Sequence, residues 1–183
     1  KITPKENCGA SYIVAARQGD AVILYAEAEG GLFAPENAVD ADMKAFPGGR
    51  LWVRLPNIFY YNIPESPHEW ARREPSVPRI SIARLKCDAV APYVFYHYQL
   101  QEENRKRQSR YYIIGLLGNL LVSYDETPSF PAEPRCGCLK TRNTPEKGWQ
   151  NKMKEYLDVG WTKADIVFRE DCLWKKRKLL TIG

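Results

Sequence analysis

A chain of 183 residues, 44% hydrophobic and 27% charged, has the length of one large domain or two small ones and needs no covalent staples to fold. No apolar run approaches the ~18 residues of a membrane helix, and the stretch 113–122, broken by Gly115, Gly118 and Asn119, reads as two short strands. The net charge of +5 is modest, so the basic runs Arg105-Lys106-Arg107 and Lys175-Lys176-Arg177-Lys178 read first as solvated faces and only second as contacts to a phosphate backbone.

Residues 11–27 read as a β-hairpin, two β-branched and aromatic runs flanking the turn pair Gly19-Asp20. A short amphipathic helix is expected over 36–46, after Pro35 and before Pro47-Gly48-Gly49, with Ala38, Val39, Met43 and Phe46 on its apolar side. Residues 51–62 are strand-like with a break at Pro56. The proline-rich, charged stretch 64–78 reads as a connector between a first half, 1–63, and a second, 79–183. The alternation in 79–86 predicts a half-buried strand. Over 89–107 the spacing of Tyr93, Tyr96, His97, Leu100 and Asn104 predicts a helix, although its aromatic density pulls toward strand. A second hairpin follows over 111–126 around Gly118-Asn119, then a loop, then a helix over 146–157 with Trp149, Met153, Tyr156 and Leu157 inward. The tail 166–182 holds one or two strands.

The two hairpins align: Tyr12-Ile13-Val14 with Gly19-Asp20 and Tyr25-Ala26-Glu27, against Tyr112-Ile113-Ile114 with Gly118-Asn119 and Tyr124-Asp125-Glu126. That match suggests a tandem duplication whose first copy lacks its opening strand and helix. The expected fold class is therefore α+β: tandem ferredoxin-like halves with antiparallel sheets, which face-to-face packing would turn into an α+β barrel with a ligand site in its interior or mouth.

Five cysteines, an odd count at irregular spacing, do not make a disulfide framework and favour a reducing, cytoplasmic setting. The start at Lys1 suggests processing, which leaves a secreted origin open. Cys136-Gly137-Cys138 lacks the second thiolate pair or the histidines of a zinc site, so no metal is expected. Of the two histidines, His68 lies in the proline-rich connector and reads as a surface residue. His97 shares a helical face with Tyr93 and titrates near neutrality when unperturbed, so it is the candidate acid–base group; the competing reading is a buried histidine bonded within a core.

The run 80–126, with Tyr93-Val94-Phe95-Tyr96-His97, then Glu103, then Tyr112-Ile113-Ile114 and Leu120-Leu121-Val122-Ser123-Tyr124-Asp125-Glu126, resembles the L-rhamnose mutarotase-like proteins of the dimeric α+β barrel group. Trp149 and Met153 loosely match that family's second helix, whereas Gln101 stands where the family carries a tryptophan. The resemblance implies interconversion of the anomers of a cyclic aldose without metal or organic cofactor. It implies His97 as acid–base group, Tyr93 and Tyr112 as positioning hydroxyls, Glu103 as a second carboxylate near the rim, and Tyr124 and Trp149 among the substrate contacts.

Three function classes stay open. One is a non-catalytic small-ligand-binding or assembly module, another a mutarotase-like sugar enzyme, and the last and least favoured a nucleic-acid binder. The partners expected are a small molecule such as a sugar and a second copy of the chain, with no membrane.

Overall fold

The computed structural model describes residues 2–5, 9–28, 33–61, 72, 75–103, 108–132, 139–144 and 147–171. In chain order the strands are β1 (Ile2–Pro4), β2 (Tyr12–Gln18), β3 (Ala21–Glu27), β4 (Val39–Ala41), β5 (Asn57–Tyr60) and β6 (Val77–Leu85). Helix α1 (Val90–Glu103) follows, then β7 (Gln108–Ser109), β8 (Ile113–Leu117), β9 (Leu120–Thr127) and β10 (Pro131–Ala132). Helix α2 (Trp149–Glu155), β11 (Leu157–Lys163) and β12 (Asp165–Asp171) complete an α+β chain whose paired strands all run antiparallel. Among the described residues no helix is long and apolar enough to cross a membrane.

The chain divides into two compact units, and the division is discontinuous. The first holds 1–54, 66–73 and 164–183, the second 55–65 and 74–163. A split at 64–78 thus misses two exchanges: the tail strand β12 pairs with β2 in the first unit, and β5 pairs with β8 in the second.

The first unit carries a three-stranded sheet in the order β12-β2-β3. Gly19 has φ +57, as the first residue of a tight hairpin turn requires, and Gln18 pairs directly with Ala21. The helix expected over 36–46 does not form. A single 3-10 turn at Pro35–Asn37 gives way to β4, which β1 captures through Ile2↔Ala41 and Pro4↔Val39. Ala38 and Val39 are buried by this pairing, whereas Phe46 is 43% exposed. Weak helical amphipathicity loses to strand capture of a β-branched residue. Arg72 grips the Glu27 carboxylate with both guanidinium nitrogens, at 2.9 and 2.7 Å, and lies 3.4 Å from the centre of the Tyr12 ring.

The second unit carries a five-stranded sheet in the order β11-β6-β9-β8-β5. Gly118, φ +61, opens the β8–β9 turn, with Leu117 paired to Leu120. Both helices pack on one sheet face, where Tyr93 and Met153 join Ala83, Leu85, Ile114, Leu121, Phe59 and Tyr61 in one cluster. Because neighbouring strand residues alternate faces, Ile80, Ile82, Val122, Tyr124 and Glu126 point the other way, and they too are buried. A Cβ on Gly115 would lie 2.8 Å from the Leu55 Cβ, so this strand position admits only glycine beneath Leu55. The strand expected over 51–62 shrinks to β5, since Pro56 has no N–H to continue the ladder and instead offers its carbonyl to the Leu116 N–H at 3.1 Å.

Candidate functional site

Helix α1 follows a 3-10 turn at Cys87–Ala89 and carries no charged residue between Val90 and Gln101. The i, i+4 spacing stacks the Tyr93 and His97 rings, 4.1 Å apart and inclined by 30°. Trp149 from α2 meets His97 edge-on at 5.2 Å, and Phe59 from β5 does the same at 5.9 Å. Tyr112 joins through Phe59, ring centres 5.7 Å apart. The structure thus brings together Tyr93, His97 and Trp149, with Tyr112 one ring further out.

His97 is only 5% exposed. Its Nδ1 lies 2.9 Å from the Tyr93 carbonyl oxygen. A carbonyl only accepts, so Nδ1 carries the proton and donates, leaving Nε2 with its lone pair. Burial among apolar rings lowers the imidazole pKa from 6.5 to about 4, and the bond to Tyr93 opposes the shift without cancelling it. The shift corresponds to about 3 kcal/mol against the charged form, more than a typical backbone hydrogen bond returns. His97 is therefore neutral at pH 7, a poor proton donor and a weak base. Burial likewise raises the Tyr93 phenol, with Tyr112 adding to the shift. Tyr112 rises to about 12, first through burial and then through Asp125, with Arg79 opposing.

Glu103 turns elsewhere. Its carboxylate accepts from the Thr141 hydroxyl, from the N–H groups of Asn143 and Thr144 at 3.2 and 2.8 Å, and from Gln99 Nε2 at 3.1 Å. Partial burial pushes its pKa up, but the Thr141, Thr144 and Asn143 donors outweigh it and hold it at about 2. It anchors the 141–144 loop as a permanent anion, in place of the rim carboxylate the sequence suggested.

Tyr124 does not reach the cluster. Leu121 faces the helices, so Tyr124, an odd number of residues along β9, faces away. There it donates to Glu126 Oε1 at 2.7 Å, and Ser76 donates to the other carboxylate oxygen. Sequence reasoning missed Phe59, the Glu126–Ser76 pair and the partner of Gln101, whose Oε1 accepts the Tyr60 N–H at 3.0 Å. Nothing local signals that an edge strand lies opposite Gln101. His68, both basic runs, Cys8, Cys136, Cys138 and Cys172 lie outside the described residues; Cys87 is an exposed free thiol.

Comparison with protein-family models, with curated proteins and with solved structures finds no match to this chain.

Proposed function

We propose that the second unit is a ferredoxin-like domain acting as a non-catalytic binding or assembly module. Support for the fold comes from connectivity. The run β6, α1, β8, β9, α2, β11 is strand-helix-hairpin-helix-strand, and its strands lie side by side as fourth, first, third, second. The observation that carries the functional reading is the sealing of His97: neutral, ring-packed, and bonded to its own helix. Apolar surface lies outside instead, at Phe95 (58% exposed), Tyr98 (52%), Val159 (48%) and Trp161 (39%).

A mutarotase-like sugar isomerase is the second reading, favoured by the convergence of Tyr93, His97 and Trp149 with Tyr112 behind Phe59. It requires water and substrate to reach Nε2 and His97 to titrate near neutrality. Anomer exchange across a panel of aldoses, followed by NMR at pH 7, separates the two. The module reading predicts buffer rates for the wild type and for His97→Phe alike. Acceleration by the wild type that disappears in His97→Phe would establish the isomerase.

A further inference from the structure

Hairpin β2–β3 sets three side chains on one face at its open end. Tyr12 pairs directly with Glu27, and Tyr25 stands two residues back along β3, so all three point to the same side of the sheet. The Tyr25 hydroxyl donates to Glu27 Oε1 at 2.7 Å and aims the carboxylate. Ser11 holds the Glu27 carbonyl through its N–H at 2.7 Å and its hydroxyl at 3.0 Å, which pins the backbone behind it. What fills this face comes from far along the chain. The Arg72 guanidinium carbon lies 3.4 Å from the centre of the Tyr12 ring, its nitrogens fork onto both Glu27 oxygens, and its side chain is 7% exposed.

The fit is to a guanidinium. A flat ring face takes the flat cation, and the carboxylate takes two parallel N–H groups; an ammonium matches only the charge. The receptor does not depend on its occupant. Hairpin pairing runs from Tyr12↔Glu27 to Gln18↔Ala21 without Arg72. The phenol–carboxylate pair recurs in the second unit, where Tyr124 donates to Glu126 at 2.7 Å and Ser76 donates to the other oxygen, so Tyr-x-Glu pairing belongs to the strand. Arg72 itself belongs to the stretch 66–73, which enters the first unit between two segments of the second. Its withdrawal would leave a largely buried carboxylate with one phenol in place of a bidentate cation, and such a group draws another cation in.

On that geometry we propose that Tyr12, Tyr25 and Glu27 form an arginine-binding site, which Arg72 occupies in cis and which an arginine-bearing peptide takes in its place. The chain thus shuts its own site, and its affinity for a partner is set by the fraction of molecules in which Arg72 is away.

NMR titration of the hairpin amides with N-acetyl-arginine amide, on the full chain, tests the site. In Arg72→Ala the probe should bind saturably and shift Tyr12, Tyr25 and Glu27, whereas N-acetyl-lysine amide should bind more weakly. The wild type should bind the arginine probe at least about tenfold more weakly than this variant, because Arg72 competes in cis. Adding Glu27→Gln to Arg72→Ala should abolish binding. An Arg72→Ala protein that keeps its hairpin spectrum yet takes no arginine overturns the proposal. So does lysine binding as tightly as arginine, which is plain charge attraction, or equal affinity in wild type and variant, which puts the probe elsewhere. A wild type whose hairpin amides never move overturns it too, since Arg72 is then a fixed brace. If Arg72→Ala fails to fold, Arg72→Lys, which keeps the charge without the fork, takes its place under the same outcomes.

Discussion

His97 and Glu103 stand on the same helix, and both titrate below their ordinary ranges, at about 4 and about 2. The causes are opposed. Around His97, rings exclude water and the charged form is expelled. Around Glu103, hydroxyl and backbone donors gather on an anion and hold it charged. A pKa displaced in a given direction therefore does not mark a reacting group; the surroundings decide whether it reports a sealed core or a loop anchor.

The strongest way to break this contrast is to open the core. Tyr93→Ala should cost about 3–5 kcal/mol of unfolding free energy in denaturant titrations. By admitting water it should also move the His97 midpoint back toward 6.5. A loss below about 1 kcal/mol would mean that the ring is not packed as described.

The second test uses pH. Because the folded value for His97 lies below 6.5, the unfolded chain takes up its proton first as pH falls. Stability is thus complete above 6.5 and declines toward 4, by up to about 3 kcal/mol. Glu103 contributes in a lower window, from 4.5 down to about 2. His97→Phe should flatten the stability profile between pH 6.5 and 4.5 and leave the acid limb below it. An unchanged slope in that interval would show that His97 is not desolvated.

The smallest effect sharpens the other side. Glu103→Gln should speed hydrogen exchange at the Asn143 and Thr144 amides while leaving the His97 titration where it was. Coupled movement of both would merge what the structure keeps separate.

Much of the second unit was legible in sequence. Both hairpins are written in their turns, because Gly19 and Gly118 supply the positive φ that a two-residue connection requires. Helix α1 followed from the spacing of Tyr93, Tyr96, His97 and Leu100, against the strand preference of its aromatics. Strand β11 was hidden: Leu157 completes the inward stripe of the helix expected over 146–157, and the exposed residues after it carry no alternation of buried and solvated positions. The failed helix over 36–46 and the unforeseen contact of Phe59 with His97 share a cause. Each depends on a partner far along the chain, β1 in one case and an edge strand in the other, and local pattern says nothing about such partners. For the site, the sequence placed Tyr93 and His97 on one helical face but did not give the state of the imidazole. Desolvation is a property of what closes over the ring.

With two histidines in the chain, a nitrogen-resolved NMR titration of the imidazoles reads the state of His97 directly. At pH 7 His97 should be the neutral form protonated at Nδ1, with a midpoint near 4. A midpoint at or above 6.5, or a proton resident on Nε2, would contradict it.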